Sequence, residues 1–492
     1  MQQARIWATI KIDKTGNYLS LPVILVLRND NLTVLEPLLS YFTSFYQIRS
    51  FSWMEKLCQI LGLLLDYIEE NRNIETKPYE IFESFIHAVY HGTYSRDGRD
   101  PTKLGWFPTN TKTANQKLRM LNEFSDWMVN NGYAEQCLNP WTHATASEER
   151  LNWISWYRKN GHSFLGHLGA SENVSAGMSQ ARKIKLRRQS TSNIQPAKAF
   201  PANFETALLR EGFVRPGKED EKDILKKYDW RCICIAMLML YGARRVSEPF
   251  HLWTGDVIEN PTRPNEALVR IYHPQDGQAP DDKKINGRRV ANREAYLKAF
   301  FPNYLPRNRS TGNYHAGWKG RVFADDTAKY IQVYWLPSDM ASAFLWAYHN
   351  YMLVRARNGF GSSRHPFAFV SEHSKTKGEP YSIKAFNQAW ERALRKIGLP
   401  NAKIHGTSPH GGRHATGHRA VRAKIADKDI REMFAHRSLE SQEVYTVPGI
   451  DAVTKQMDAA TLRMRFAAKL AEQGLAAEPP PADWKDIWRT KD

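Results

Sequence analysis

The 492 residues include 69 lysines and arginines against 51 aspartates and glutamates, a net charge of +18, with 42% hydrophobic residues and 15 tryptophans. That hydrophobic content excludes a disordered chain, and the length gives room for two or three domains with separate cores. The positive excess points to a polyanionic partner, because every phosphate neutralised releases condensed counterions. The first residues lack the apolar centre of a signal peptide, and the early apolar run 21–27 is too short to span a bilayer, so no membrane is expected. Cys58, Cys137, Cys232 and Cys234 are scattered and read as reduced core residues, which places the protein in the cytoplasm.

In chain order, residues 1–30 alternate and carry β-branched positions, which predicts an N-terminal β arm or hairpin turning at Lys14-Thr15-Gly16-Asn17. From 31 to 170 the period becomes helical. Trp53, Leu57, Ile60, Leu61, Leu64 and Ile68 fall on one face, as do Leu118, Leu121, Phe124 and Met128, giving a domain of four or five helices. Residues 171–200 are polar, small and basic, the composition of a linker. Its Arg182, Lys183, Lys185, Arg187 and Arg188 are candidates to track a phosphate backbone, against the plain reading of a solvated charge run. From 201 to 473 helices alternate with a few strands, at 267–272 and 330–336, separated by a polar insertion over about 275–318. A helix over 453–473 and a flexible tail, 474–492, close the chain. The fold class expected is mainly α with a small antiparallel sheet.

The chemistry concentrates in the last quarter. His410-Gly-Gly-Arg413-His414 is followed by Ala435-His436 and, nine residues later, by Tyr445; far upstream stands Arg245-Val-Ser-Glu248. Cleaving a phosphodiester without a metal requires fixed cations aimed at its non-bridging oxygens, and the planar guanidinium fork suits them. It also requires groups that take the nucleophile's proton and supply one to the leaving oxygen. A phenol beside cations is a usable nucleophile. His410 and Arg413, three apart at a helix start, can face one pocket, and His436 falls just past a short helix that begins at Asp427. Ser438 is read as the cap of a further turn that delivers Tyr445. Singly, each residue has a plain reading: Tyr445 as a packed aromatic, Arg245 with Glu248 as a helical ion pair. His410, His414 and His418 share metal-ligand spacing, but no carboxylate or cysteine completes the set, so no metal is expected.

Together these segments resemble the tyrosine recombinase (phage integrase) family. The resemblance covers roughly 201–473, with the helical region before it similar to the family's SAM-like core-binding domain. It implies that Tyr445 attacks the scissile phosphate to leave a 3′-phosphotyrosyl link and a free 5′-hydroxyl. Arg245 and Arg413 would clamp the phosphate, His410 would handle the tyrosine proton, and His436 would hydrogen-bond a phosphate oxygen. Glu248 and His414 would support them. A lysine would be the general acid, with Lys329 the first choice and Lys319 the alternative. Ala243 and Ala435 stand where the family usually shows glycine, and Gly411-Gly412 replaces a more apolar pair. The resemblance further implies double-stranded DNA as partner, a homotetramer on DNA, accessory DNA-bending or mobile-element proteins, a nucleoid-associated site of action, and no cofactor. A type IB topoisomerase, or a catalytically silent DNA-binding protein on the same scaffold, remains the alternative at this stage.

Overall fold

The computed structural model describes residues 3–11, 18–28, 31–72, 77–160, 172–188, 198–360, 364–436, 457, 458 and 460–462. The chain divides into two compact units, 1–192 and 193–492. Tyr445, the Ser438 cap, the Lys14–Asn17 turn and the tail lie outside the described residues, as does most of the helix expected over 453–473.

The first unit begins with an antiparallel sheet of three strands, β1 (Gln3–Lys11), β2 (Tyr18–Arg28) and β3 (Asn31–Val34), in the order β1-β2-β3. It is part of the core rather than an arm. Four consecutive residues of β2, 21–24, are buried, and Leu21, Ile24 and Val26 pack with the helices that follow. Those helices are α1 (Glu36–Phe45), α2 (Phe51–Glu70), α3 (Pro78–His91) and α4 (Thr111–Asn130). Their starts follow from local chemistry. The Ser50 hydroxyl accepts the Trp53 N–H at the head of α2, Asn110 accepts that of Thr113 at the head of α4, and Pro78 occupies the first turn of α3. Of the predicted apolar faces, Leu57, Ile60, Leu61, Leu64, Leu118, Leu121 and Phe124 are buried, Trp53 and Met128 are half-buried, and Ile68 is exposed.

The unit continues through β4 (Trp141–His143), α5 (Ala146–Asn160), α6 (Glu172–Met178) and β5 (Gln180–Arg182), with β4 and β5 paired antiparallel. The described part of the expected linker is therefore built into this unit. Asn139 and Asn115 accept and donate hydrogen bonds to the backbone of Ile184 and Arg187, stitching 184–187 against α4. Composition alone suggested a spacer because these ties run through the backbone.

The second unit is organised on α9 (Trp230–Leu240), every residue of which is buried. Two short helical turns precede it, α7 (Glu205–Ala207) and α8 (Ile224–Lys227), and the Asp229 carboxylate caps it on the Cys232 N–H. A second antiparallel sheet, of β6 (Val257–Asn260), β7 (Arg263–Tyr272) and β10 (Tyr330–Gln332), has β7 at its centre. Between β7 and β10 lies the long insertion. It carries the two-residue strands β8 (Lys284–Ile285) and β9 (Arg288–Arg289), the helix α10 (Arg293–Phe300), and a small apolar cluster of its own: Ala279, Val290, Tyr296, Leu297 and Phe301 pack on Trp253 and Phe367. The polar insertion thus contributes an apolar cluster that packs onto the rest of the unit. Helices α11 (Met340–Arg357), α12 (Ile383–Lys396), α13 (Pro409–Arg422) and α14 (Asp427–Phe434) complete the unit. The fold class is α+β, helices with small antiparallel sheets. Among the described residues no helix is long and apolar enough to cross a membrane.

Candidate functional site: an arginine cluster at two helix ends

Where α9 ends, its last carbonyls have no partners within the helix. Helix α13 supplies them. The Thr416 hydroxyl donates to the Leu240 carbonyl (2.6 Å), and Arg419 donates to the same carbonyl (3.0 Å) and, bidentately, to the buried Glu205 carboxylate (2.7 and 2.8 Å). Gly412 lets α13 approach, since a Cβ there would sit 3.3 Å from the Leu240 side chain. Gly411 is stricter: a Cβ would lie 1.6 Å from the Gly406 carbonyl oxygen. Gly411 is thus required by close backbone contact at the head of α13, whereas Gly412 faces the Leu240 side chain.

Past α9 the chain turns through Ala243 in the left-handed region (φ +57) and past α14 through Ala435 (φ +48), the two positions where glycine was anticipated. Each turn delivers candidate site residues. After Ala243, Arg244 points inward: it is fully buried, donating to the carbonyls of Gly242 and Met433. Arg245 points the other way, a quarter exposed, with its Nη1 3.6 Å from Glu248 Oε1. After Ala435, His436 folds back so that its Nε2 lies 2.9 Å from Nη2 of Arg413. The Arg413 guanidinium, 1% exposed, also donates to the carbonyls of Phe434 (3.0 Å) and Ala243 and lies over the Phe434 ring. One buried guanidinium therefore links both turns.

Glu248 is the buried carboxylate of this cluster. It accepts the Arg245 backbone N–H (3.0 Å), lies 4.0 Å from Arg244, and is ion-paired with the buried Arg321. Among the described residues three guanidinium groups, of Arg244, Arg245 and Arg321, thus share one buried carboxylate. The electrostatics register the imbalance. Burial first, and then the charges of Arg413 and Arg245, lower the Arg244 pKa to about 9. Burial, then Arg413 and Arg245, lowers His436 to about 3. Desolvation, then Arg413, Arg245, Lys319 and Lys403, lowers the exposed His410 to about 4. His414, in edge contact with His410 at 4.5 Å between ring centroids, falls to about 3 through burial and then the neighbouring His410. All three imidazoles are neutral at pH 7. A negative charge brought to this site would raise these pKa values.

The site holds Arg245 against Glu248 and Arg413 against His436, with Arg413 also on the Ala243 carbonyl two residues before Arg245, and His410 and His414 stand beside them on the first turns of α13. Lys319, exposed, is near enough to act on His410. Lys329 lies in a tight turn (φ +54), its N–H on the Asp325 carbonyl and its carbonyl on the His273 N–H, and its charge registers at His273. Tyr445 is outside the described residues. Of the basic candidates in the first unit, Arg182 is ion-paired with Asp126 and stacked on Trp141, and Lys183 and Arg187 lie over the rings of Tyr79 and Tyr90. Lys185 pairs with Glu148, while Arg188 is exposed. Arg321 was not anticipated. It stands in the insertion, where no periodicity or motif marks it, and only its contact with Glu248 reveals its part.

No family model matches the chain, and no curated protein matches it. Among solved structures it is similar to XerA recombinase, at 12% identity and a TM-score of 0.32, over 87% of this chain and 97% of that one. It is likewise similar to XerH site-specific recombinase bound to its difH substrate (12%, TM-score 0.32, 79% and 93% covered) and to a lambda integrase dimer bound to a COC' core site (12%, TM-score 0.25, 90% and 93% covered). At such identities and scores the likeness decides nothing about activity.

Proposed function

We propose that the chain is a site-specific DNA recombinase or integrase that cleaves and rejoins strands through a 3′-phosphotyrosyl intermediate on Tyr445. The observation that carries this reading is the arginine cluster: Arg245 on Glu248 and Arg413 on His436, remote in sequence, are joined through the Ala243 turn, and both charges register at His436. A scissile phosphate held by both guanidinium groups would have its developing negative charge met by donors already in place. His436, whose Nε2 accepts from Arg413 in the free protein, would exchange that contact for an N–H donated to a non-bridging oxygen. His410, neutral at pH 7, can accept the phenol proton, and the free 5′-hydroxyl later reverses the attack. The bond energy stays in the phosphotyrosyl link, so the cycle needs neither nucleotide nor metal. Duplex DNA is the partner, and two protomers on each of two duplexes give a tetramer.

The test is trapping of a protein–DNA adduct that survives denaturation, first on the DNA flanking the gene to locate the site, then on a nicked duplex carrying it. Wild type is expected to form the adduct and Tyr445→Phe to form none; binding without any adduct in wild type would leave a DNA-binding protein. Exchange of strands between two duplexes, rather than relaxation of one supercoiled circle by a lone protomer, separates a recombinase from a topoisomerase.

A further inference from the structure

Residues 316–321 of the insertion pass the arginine cluster anchored at two places. Upstream, Ala316 is fully buried, with its N–H on the Arg307 carbonyl (2.9 Å). The Trp318 ring next to it is bracketed edge-to-face by two imidazoles, His251 at 5.2 Å and His273 at 5.4 Å between centroids. His251 is itself 1% exposed, and its Nε2 lies 3.5 Å from the Gly317 carbonyl. Burial, and then the charge of Arg307, lowers the His251 pKa to about 3, so this side of the bracket is an uncharged ring at any working pH. Downstream, Arg321 is buried on Glu248, and its Nη1 donates to the Phe434 carbonyl (3.4 Å). Between the two anchors only Lys319 and Gly320 are exposed. Three peptide units span at most about 10 Å, so a lysine backbone pinned on both sides has little freedom. Its long side chain is left to reach the cluster, and its charge is felt at His410.

We propose that Trp318, clamped between His251 and His273, is a positioning residue that holds Lys319 at the arginine cluster as proton donor to the leaving oxygen. The proposal rests on the recombinase reading. In the step it serves, a bond forms between Tyr445 Oη and phosphorus as the bond from phosphorus to O5′ breaks. The electron pair leaves on O5′, which takes a proton from the Lys319 ammonium, while the phenol proton passes to His410. Neutral Lys319 then regains its proton from solvent.

The experiment uses the full chain on the nicked duplex in two forms, with oxygen or with sulfur at the bridging 5′ position. A thiolate leaves without protonation, because its conjugate acid is far stronger than an alcohol. Trp318→Ala is expected to slow adduct formation about 10²-fold on the oxygen substrate, the low end of what a general acid contributes, and by less than about threefold on the sulfur substrate. Lys319→Ala should show the same pattern, Trp318→Phe should retain most of the oxygen rate, and DNA affinity should not move. Should Trp318→Ala fail to fold, His273→Ala removes one side of the bracket, with a loss of about tenfold expected, again confined to oxygen. An unchanged oxygen rate, or equal losses on both substrates, overturns the proposal while leaving the recombinase reading intact. A wild type inert on both substrates overturns both.

Discussion

Arg413 has two demands on one side chain. Its guanidinium satisfies the carbonyls of Ala243 and Phe434 and meets His436, and on the proposed reading it would also hold a phosphate. A lysine keeps the charge but lacks the fork. Arg413→Lys is therefore expected to lower the cleavage rate by at least about 10²-fold, the cost of one lost donor to a developing oxyanion. It should also destabilise by about 1–3 kcal/mol through the carbonyls left unpaired. Stopped single-turnover assays and denaturant melts read the two effects. The neutral imidazoles make a second prediction, whose sign follows from linkage. His410, His414 and His436 are held at about 3 to 4 in the folded protein, whereas an unfolded imidazole titrates near 6.5. As the pH falls from about 6.5 towards 4 the unfolded chain takes up protons that the folded chain refuses, so stability is lost on the acid side and is complete above that window. Thermal melts from pH 7.5 to 4.5 should show this loss, and His436→Asn should show less of it. Conversely, phosphate binding should draw protons in, measurable as a buffer-dependent heat. The Arg245–Glu248 spacing and the His410, Arg413 and His436 series were legible because each lies at a helix end whose signals are local. Arg321 and Trp318 were not, since their partners Glu248, His251 and His273 are distant in sequence and the intervening chain lacks a period.

At the scale of elements, the site depends on helix ends brought together by close backbone contact. Gly411→Ala would drive a methyl into the Gly406 carbonyl, and is expected to cost more than about 2 kcal/mol and to displace Arg413. Gly255→Ala, with open space at its Cβ position, should stay within about 1 kcal/mol, so paired melts of the two variants test the packing argument. The alanines at positive φ are a closer balance. Relief of about 1–2 kcal/mol of left-handed strain opposes the loss of a buried methyl, about 0.8 kcal/mol, and a more flexible unfolded chain. Ala435→Gly should therefore change stability by no more than about 1 kcal/mol. Helices α2 and α4 of the first unit were readable from their apolar stripes. The role of β2 was not, because four successive buried residues break the alternation that identifies a half-exposed strand. The packed segment 184–187 escaped for a different reason: its ties to Asn115 and Asn139 use backbone groups, which every sequence has.

Over the whole molecule, the charge of +18 belongs with a long polyanion, and each unit has a core of its own. Affinity for duplex DNA is expected to fall about 10³-fold or more between 50 and 200 mM salt, as for proteins that neutralise six or more phosphates. A slope near zero would separate the charge from the function. Much of the first unit's cationic series is occupied internally, by Asp126, Glu148 and aromatic rings, so on the proposed reading Arg188 and the cluster of the second unit would be the more direct contacts to phosphate. The claim on which the rest turns is that the arginine cluster presents phosphorus to Tyr445. The direct measurement is mass spectrometry of the trapped adduct after digestion of protein and DNA. The account predicts a nucleotide joined through its 3′-phosphate to the peptide that contains Tyr445, with the released strand ending in a 5′-hydroxyl. A nucleotide on any other residue, or one joined through a 5′-phosphate, would contradict it.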